Sequence, residues 1–165
     1  MSHPLAPYLP AFGFATKLVG DAIAAVDEGQ ARGRLATGLN SYRGVIAHLV
    51  IARHGLCELL DIEVEPLPFG GIGEGFDAGF VEGPEFPSLE TLGKVWAEIS
   101  PALLGGLTGV SEAALRRPSP IPIPGHADAD AEAFAGLNVV HESYHAGQLG
   151  LMAKAFTGQG LLKVG

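Results

Sequence analysis

Cysteine is nearly absent. Cys57 is the only one in 165 residues, which excludes an internal disulfide and a cysteine-rich metal site. Long apolar runs are missing too: no stretch approaches the about 20 residues that a membrane-spanning helix needs. The start, Met-Ser-His-Pro, has no charged segment leading into an apolar one, so a soluble cytoplasmic protein without a membrane partner is expected. Basic charge is scarce, with 10 Lys and Arg against 18 Asp and Glu. The resulting formal net charge of -8 repels polyanions, and nucleic acid is not an expected partner. Internal repeats, low-complexity tails and clear strand patterns are also lacking.

What the chain does have is apolar content, 47% hydrophobic against 17% charged, in a length suited to a single domain over residues 1–165. Periodicity predicts four long helices. The first covers about residues 9–28, with Gly29 and Gly33 as terminators. The second runs to about residue 60 behind an Asn40 or Ser41 cap. A third starts near Ser88, with Pro101 either kinking it or opening a new turn. The last spans about residues 128–156, a stretch free of proline. Residues 65–87, rich in glycine and proline, read as a long ordered loop, and 111–117 as a short helical piece. Residues 116–126 hold four prolines and form an extended crossover. The expected fold class is all-α, a four-helix bundle with long crossover connections.

The last helix carries the chemistry. His141 and His145 are four residues apart, about 40° on a helix, so both imidazoles lie on one face. Phe134, Gln148 and Met152 fall within about 20° of His141, which predicts a stripe facing the core. A lone histidine there reads as a buried, hydrogen-bonded side chain. Two at this spacing need two sets of partners, and one shared metal ion is the simpler account. The same residues match the His-Glu-x-x-His helix of zinc proteases, in which Glu142 is the general base. That reading lacks its downstream ligand, because after His145 the chain has no His, Asp or Glu.

His48, in the middle of the second helix, is the candidate third ligand. Its face carries the small residues Ser41, Gly44, Ala52 and Gly55, as a close helix contact or an open pocket would require. His54 is about 120° and Cys57 about 180° from His48, so neither shares its site. Cys57 is expected in the core, and Arg53 with His54 on a solvated or subunit-facing surface. Gln148 is expected to orient a ligand imidazole from behind, with Asn138 a weaker candidate for the same work. Glu142 lies at the edge of the stripe; Tyr144 is expected to pack, or else to offer its hydroxyl to substrate. His3 and His126 are expected bystanders.

Asn40-Ser41 leading into Gly44-Val45-Ile46-Ala47-His48-Leu49, then His141-Glu142-Ser143-Tyr144-His145-Ala146-Gly147-Gln148-Leu149 and the closing Gly160-Leu161-Leu162-Lys163, resemble the DinB-like superfamily. The resemblance implies a four-helix bundle, often a homodimer, holding a divalent metal through His48, His141 and His145. Relatives include thiol S-transferases and an isomerase that use bacillithiol or mycothiol. The implied activity is a metal-dependent transferase, with zinc or nickel and a low-molecular-weight thiol cosubstrate acting on a small electrophile. The alternatives are a metal-dependent hydrolase and a non-enzymatic metal-binding stress-response module. No catalytic residue is assigned.

Overall fold

In the computed structural model, residues 2–70, 82–83 and 85–162 are described. The sequence-predicted loop over 65–87 lies largely outside these residues, as does Lys163. The described chain is all-α. Four long helices, α1 (Leu9–Ala25), α3 (Tyr42–Leu59), α4 (Leu89–Gly106) and α6 (Ala131–Thr157), are joined by segments that contain the single turns α2 (Glu28–Ala31) and α5 (Glu112–Leu115).

Local chemistry sets the helix ends. Ser41 Oγ accepts from Gly44 N at the start of α3, Ser88 Oγ from Thr91 N at α4, and Asp130 from Ala133 N at α6. Each takes one of the donors that a helix start leaves without a partner. Gly158, at φ 77°, closes α6 in the left-handed conformation that glycine adopts without strain.

The first helix is shorter than its periodicity predicts. Val26 is extended, and Asp27 begins a new turn in a capping box with Gln30. That local pairing outcompetes continuation of α1. Gly29 therefore sits inside α2 rather than ending a helix. Gly33 is needed for space, since a Cβ there would meet Gln30 O at 2.9 Å and the Phe156 ring at 3.1 Å. Pro101 interrupts nothing; α4 runs through it to Gly106.

The four long helices form a square in which α1 packs on α6 and α4, and α3 packs on α4 and α6. Phe12 near the start of α1, Leu56 and Leu103 near the ends of α3 and α4, and Phe134 near the start of α6 share one apolar cluster. Val19, Ile46, Leu92 and Leu149 belong to a second cluster. Helices α1 and α6 thus run one way and α3 and α4 the other. The α3 to α4 connection thus joins opposite ends of the bundle, whereas the segment with residues 116–126, the expected crossover, joins α4 to α6 at one end.

Between the two clusters lies a polar layer contributed by all four helices. Arg53 on α3 donates from Nε and Nη2 to the two carboxylate oxygens of Glu142 on α6, at 2.8 and 2.5 Å. Its Nη1 donates to Thr16 Oγ1 on α1 and Ser100 Oγ on α4, each at 2.7 Å. The guanidinium lies 3.8 Å from the centre of the Trp96 ring. Arg53 and Glu142 are both 0% exposed. Arg53 and His54 are therefore not on the surface that helical geometry predicted for them. The angle from His48 was right, but α3 is covered on two sides, so a residue turned away from His48 enters the interior. His54 is buried as well, bonded to the carbonyl of Glu65 at 3.0 Å.

Candidate metal centre

His48 from α3 and His141 and His145 from α6 meet on the seam between the two helices. Their ring centres are 4.7, 4.7 and 4.5 Å apart, each pair edge to face. One ligand nitrogen from each lies within 4.8 Å of the others. Two nitrogens on one ion with bonds of about 2.0–2.1 Å sit roughly 3–4 Å apart, so little closing is needed to hold a divalent ion. The predicted stripe faces the core at its two ends, where Phe134 and Met152 are buried, but not in the middle, where His141, His145 and Gln148 are only half-buried. The axis belongs to Arg53 and Glu142, and the three histidines are half-buried along the flank.

The rings carry the protonation that ligation needs. Burial pushes His48 down to about 4, helped by the nearby His145. Burial also pushes His141 down to about 4, with His145 and His48 adding to it. His145 is lowered by burial too, against a contrary pull from Gln148. All three are neutral at pH 7, with a lone pair to offer.

Gln148 stands where the sequence predicts. Its Oε1 is 2.7 Å from His145 Nδ1, and a carbonyl oxygen can only accept, so the hydrogen is on Nδ1 and the lone pair on Nε2. His48 Nε2 and His141 Nε2 are 2.6 Å apart, a separation that requires one hydrogen between them. A cation would replace that hydrogen. It would then move to Nδ1, and His141 Nδ1 is buried with no hydrogen-bond partner among the described residues. The donor set fits a divalent ion, with His145 positioned through Gln148 and His141 held by packing.

The other candidates are placed differently. Glu142 is not a free base at the edge of the site: Arg53 occupies both of its oxygens, which removes the role a zinc protease would give it. Asn138 donates to the carbonyl of Phe134 within its own helix. Tyr144 does not pack into the core; it is 63% exposed, with its ring 5.1 Å from that of His145. Cys57 is buried, and burial pushes its thiol up to about 12. His3 bonds the carbonyl of Val110, and the residue at 126 is exposed in the crossover.

Two features escaped sequence reasoning. One is the Arg53–Glu142 pair. Its signal was present: Arg53 follows Leu49 and Val50 by four and three residues and precedes Leu56 and Cys57 by the same intervals, all core positions. The other is the extent of an apolar cavity of about 360 Å³: the small residues beside His48 allowed for a pocket, but not for a wall made by His141, Phe134 and Ile121. The small residues beside His48 are divided in purpose: Ala52 and Gly55 line this cavity, whereas Gly44 is close-packed, with a Cβ there meeting Ser41 Oγ at 3.1 Å.

No curated protein matches the chain significantly, and no solved structure does. A family model does match, over residues 12–149, a span that holds His48, His141, His145 and Gln148 and reaches all four long helices. By that match the chain belongs to the DinB superfamily.

Proposed function

We propose that His48, His141 and His145 bind one divalent ion, zinc or nickel, and that the protein is a metal-dependent transferase joining a low-molecular-weight thiol to a small electrophile. The observation that carries this reading is the convergence of three neutral imidazoles from two helices, with no carboxylate or cysteine joining them among the described residues. A structural ion is usually closed off by a fourth protein ligand, whereas a reactive one keeps a position open. An ion held only by neutral ligands keeps its charge and makes a thiol or water acidic at neutral pH.

The chain's own residues supply position and access. Gln148 orients His145, and the position on the flank leaves the three rings partly exposed. Tyr144, at the rim, can donate its hydroxyl hydrogen to a substrate. In the reaction the thiol gives its proton to solvent, the sulfur–carbon bond forms, and the leaving group departs with the electron pair of the bond that breaks. Hydrolysis is the weaker reading, because such chemistry usually uses a nearby carboxylate base and Glu142 is bound to Arg53. The proposal includes a single cytoplasmic domain acting as a homodimer.

Metal content per chain, measured by plasma mass spectrometry on untagged protein, tests the site. We expect about one divalent ion in the wild type and in His54→Ala, and none in His48→Ala, His141→Ala or His145→Ala. Full metal content in His48→Ala would refute the three-histidine site. Turnover of a generic electrophile such as 1-chloro-2,4-dinitrobenzene should depend on bacillithiol, mycothiol or glutathione; chelator-sensitive ester hydrolysis with no thiol dependence would overturn the transferase.

A further inference from the structure

The cavity beside His141 lies between α3, α6 and the proline-rich crossover. Ile51, Ala52 and Gly55 form one wall, Phe134 and Leu137 a second, and Ile121 closes it from the crossover. Among the described residues that line it, none carries a charge. Asn138, the one amide in the wall, donates one of its two Nδ2 hydrogens to the Phe134 carbonyl. His141 is the one titratable side chain there, and its Nε2 is engaged with His48. One end of an uncharged hollow is therefore a side chain of the histidine cluster. Larger hollows of about 690 and 700 Å³ share no residue with that cluster.

Gly55 points to the use of this space. In mid-helix, glycine costs roughly 1 kcal/mol relative to alanine. Neither of the usual reasons for accepting that cost applies here: Gly55 has no positive φ, and a Cβ built on it would meet nothing within 4 Å. Gly55 is exposed, at the mouth of the cavity, so its missing side chain leaves that mouth open rather than admitting a neighbouring helix. A charged group placed there would lose its hydration with no partner to replace it, whereas an apolar group gains by leaving water.

We propose that this cavity is the subsite for the uncharged hydrocarbon part of the substrate, an alkyl or aryl group of about a dozen non-hydrogen atoms at roughly 30 Å³ each. The inference rests on the reading of the histidine cluster as the reactive centre, and it requires the electrophile to carry an uncharged, apolar part. His141 ties binding to reaction: a group seated against its ring brings the attached electrophilic atom toward the three imidazoles.

The test uses naphthalene and its charged counterpart 1-naphthoate as probes, followed by ligand-observed NMR, with metal content measured on the same samples. Naphthalene should bind the wild type, and 1-naphthoate at least tenfold more weakly. Gly55→Leu, whose side chain grows into the open space, should weaken naphthalene at least tenfold while the metal content stays at the wild-type level. Ala52→Leu, approaching from the same wall, should do the same if Gly55→Leu fails to fold. Absent naphthalene binding, equal binding of 1-naphthoate, or undiminished binding in the folded Leu variants would overturn the subsite. Naphthalene binding that is lost in the Leu variants, in a wild type that takes up no metal, would uphold the subsite and refute the metal centre instead.

Discussion

Removing one half of the Arg53–Glu142 pair should cost far more than removing both. Glu142→Leu leaves a guanidinium at 0% exposure with no counter-charge, surrounded by Thr16, Ser100 and the face of Trp96. An uncompensated buried charge of this kind costs about 3–5 kcal/mol. For a chain of this length, each kcal/mol moves the midpoint of thermal unfolding by about 2–4 °C, so a fall of roughly 6–20 °C is expected. The double variant Arg53→Met with Glu142→Leu removes the charge together with its partner and fills the layer with apolar atoms. It loses two hydrogen bonds to hydroxyls at about 1 kcal/mol each and regains apolar burial, so it should unfold within a few degrees of wild type. The assay is thermal unfolding of metal-free protein by circular dichroism, run on both single variants and the double. A single variant that falls by less than about 3 °C, or a double that falls by the sum of the singles, would refute a closely coupled buried pair.

Two further predictions concern the flank. Gln148→Ala should weaken metal binding about 10–100-fold in competition with a chelator, because His145 loses the partner that fixes its tautomer; Gln148→Glu, which still accepts from Nδ1, should restore most of it, and unchanged affinity in Gln148→Ala would refute that role. The metal-free protein should lose stability as pH falls from about 6.5 toward about 4. In that window the unfolded chain's imidazoles take up protons while those of His48 and His141 do not, so the unfolded state binds more protons and is favoured. Urea titrations across this range should show the loss, and the His48→Ala/His141→Ala variant should show less of it.

Helix identity was legible in the sequence because caps and periodicity are local. Ser41 and Ser88 begin the helices they were expected to begin. The histidine constellation was legible as well, since a four-residue spacing fixes two rings on one face and the small residues around His48 mark a space. Which way that face turns was not. The wheel of α6 places His141 and Glu142 about 100° apart and does not say which one meets the bundle axis; a packed interior decides that. Here the axis takes the residue with a bidentate partner, so the carboxylate went in and the imidazoles stayed at the flank. The same non-local fact brought Arg53 inside. The end of α1 was misjudged for the opposite reason: Asp27 and Gln30 pair so locally that they override a periodicity reaching on to residue 28.

The polar layer also works as an alignment key. Arg53 lies five residues after His48 on α3, and Glu142 directly follows His141 on α6, so one relative position of two antiparallel helices satisfies both meetings. Sliding α6 by a single turn, about 5.4 Å, would put Asn138 in the place of the buried Phe134 and Ala153 in that of the buried Leu149. It also strands two buried charges and scatters the three rings. The apolar core and the ion pair therefore favour the same register, and that register assembles the histidines before any ligand arrives.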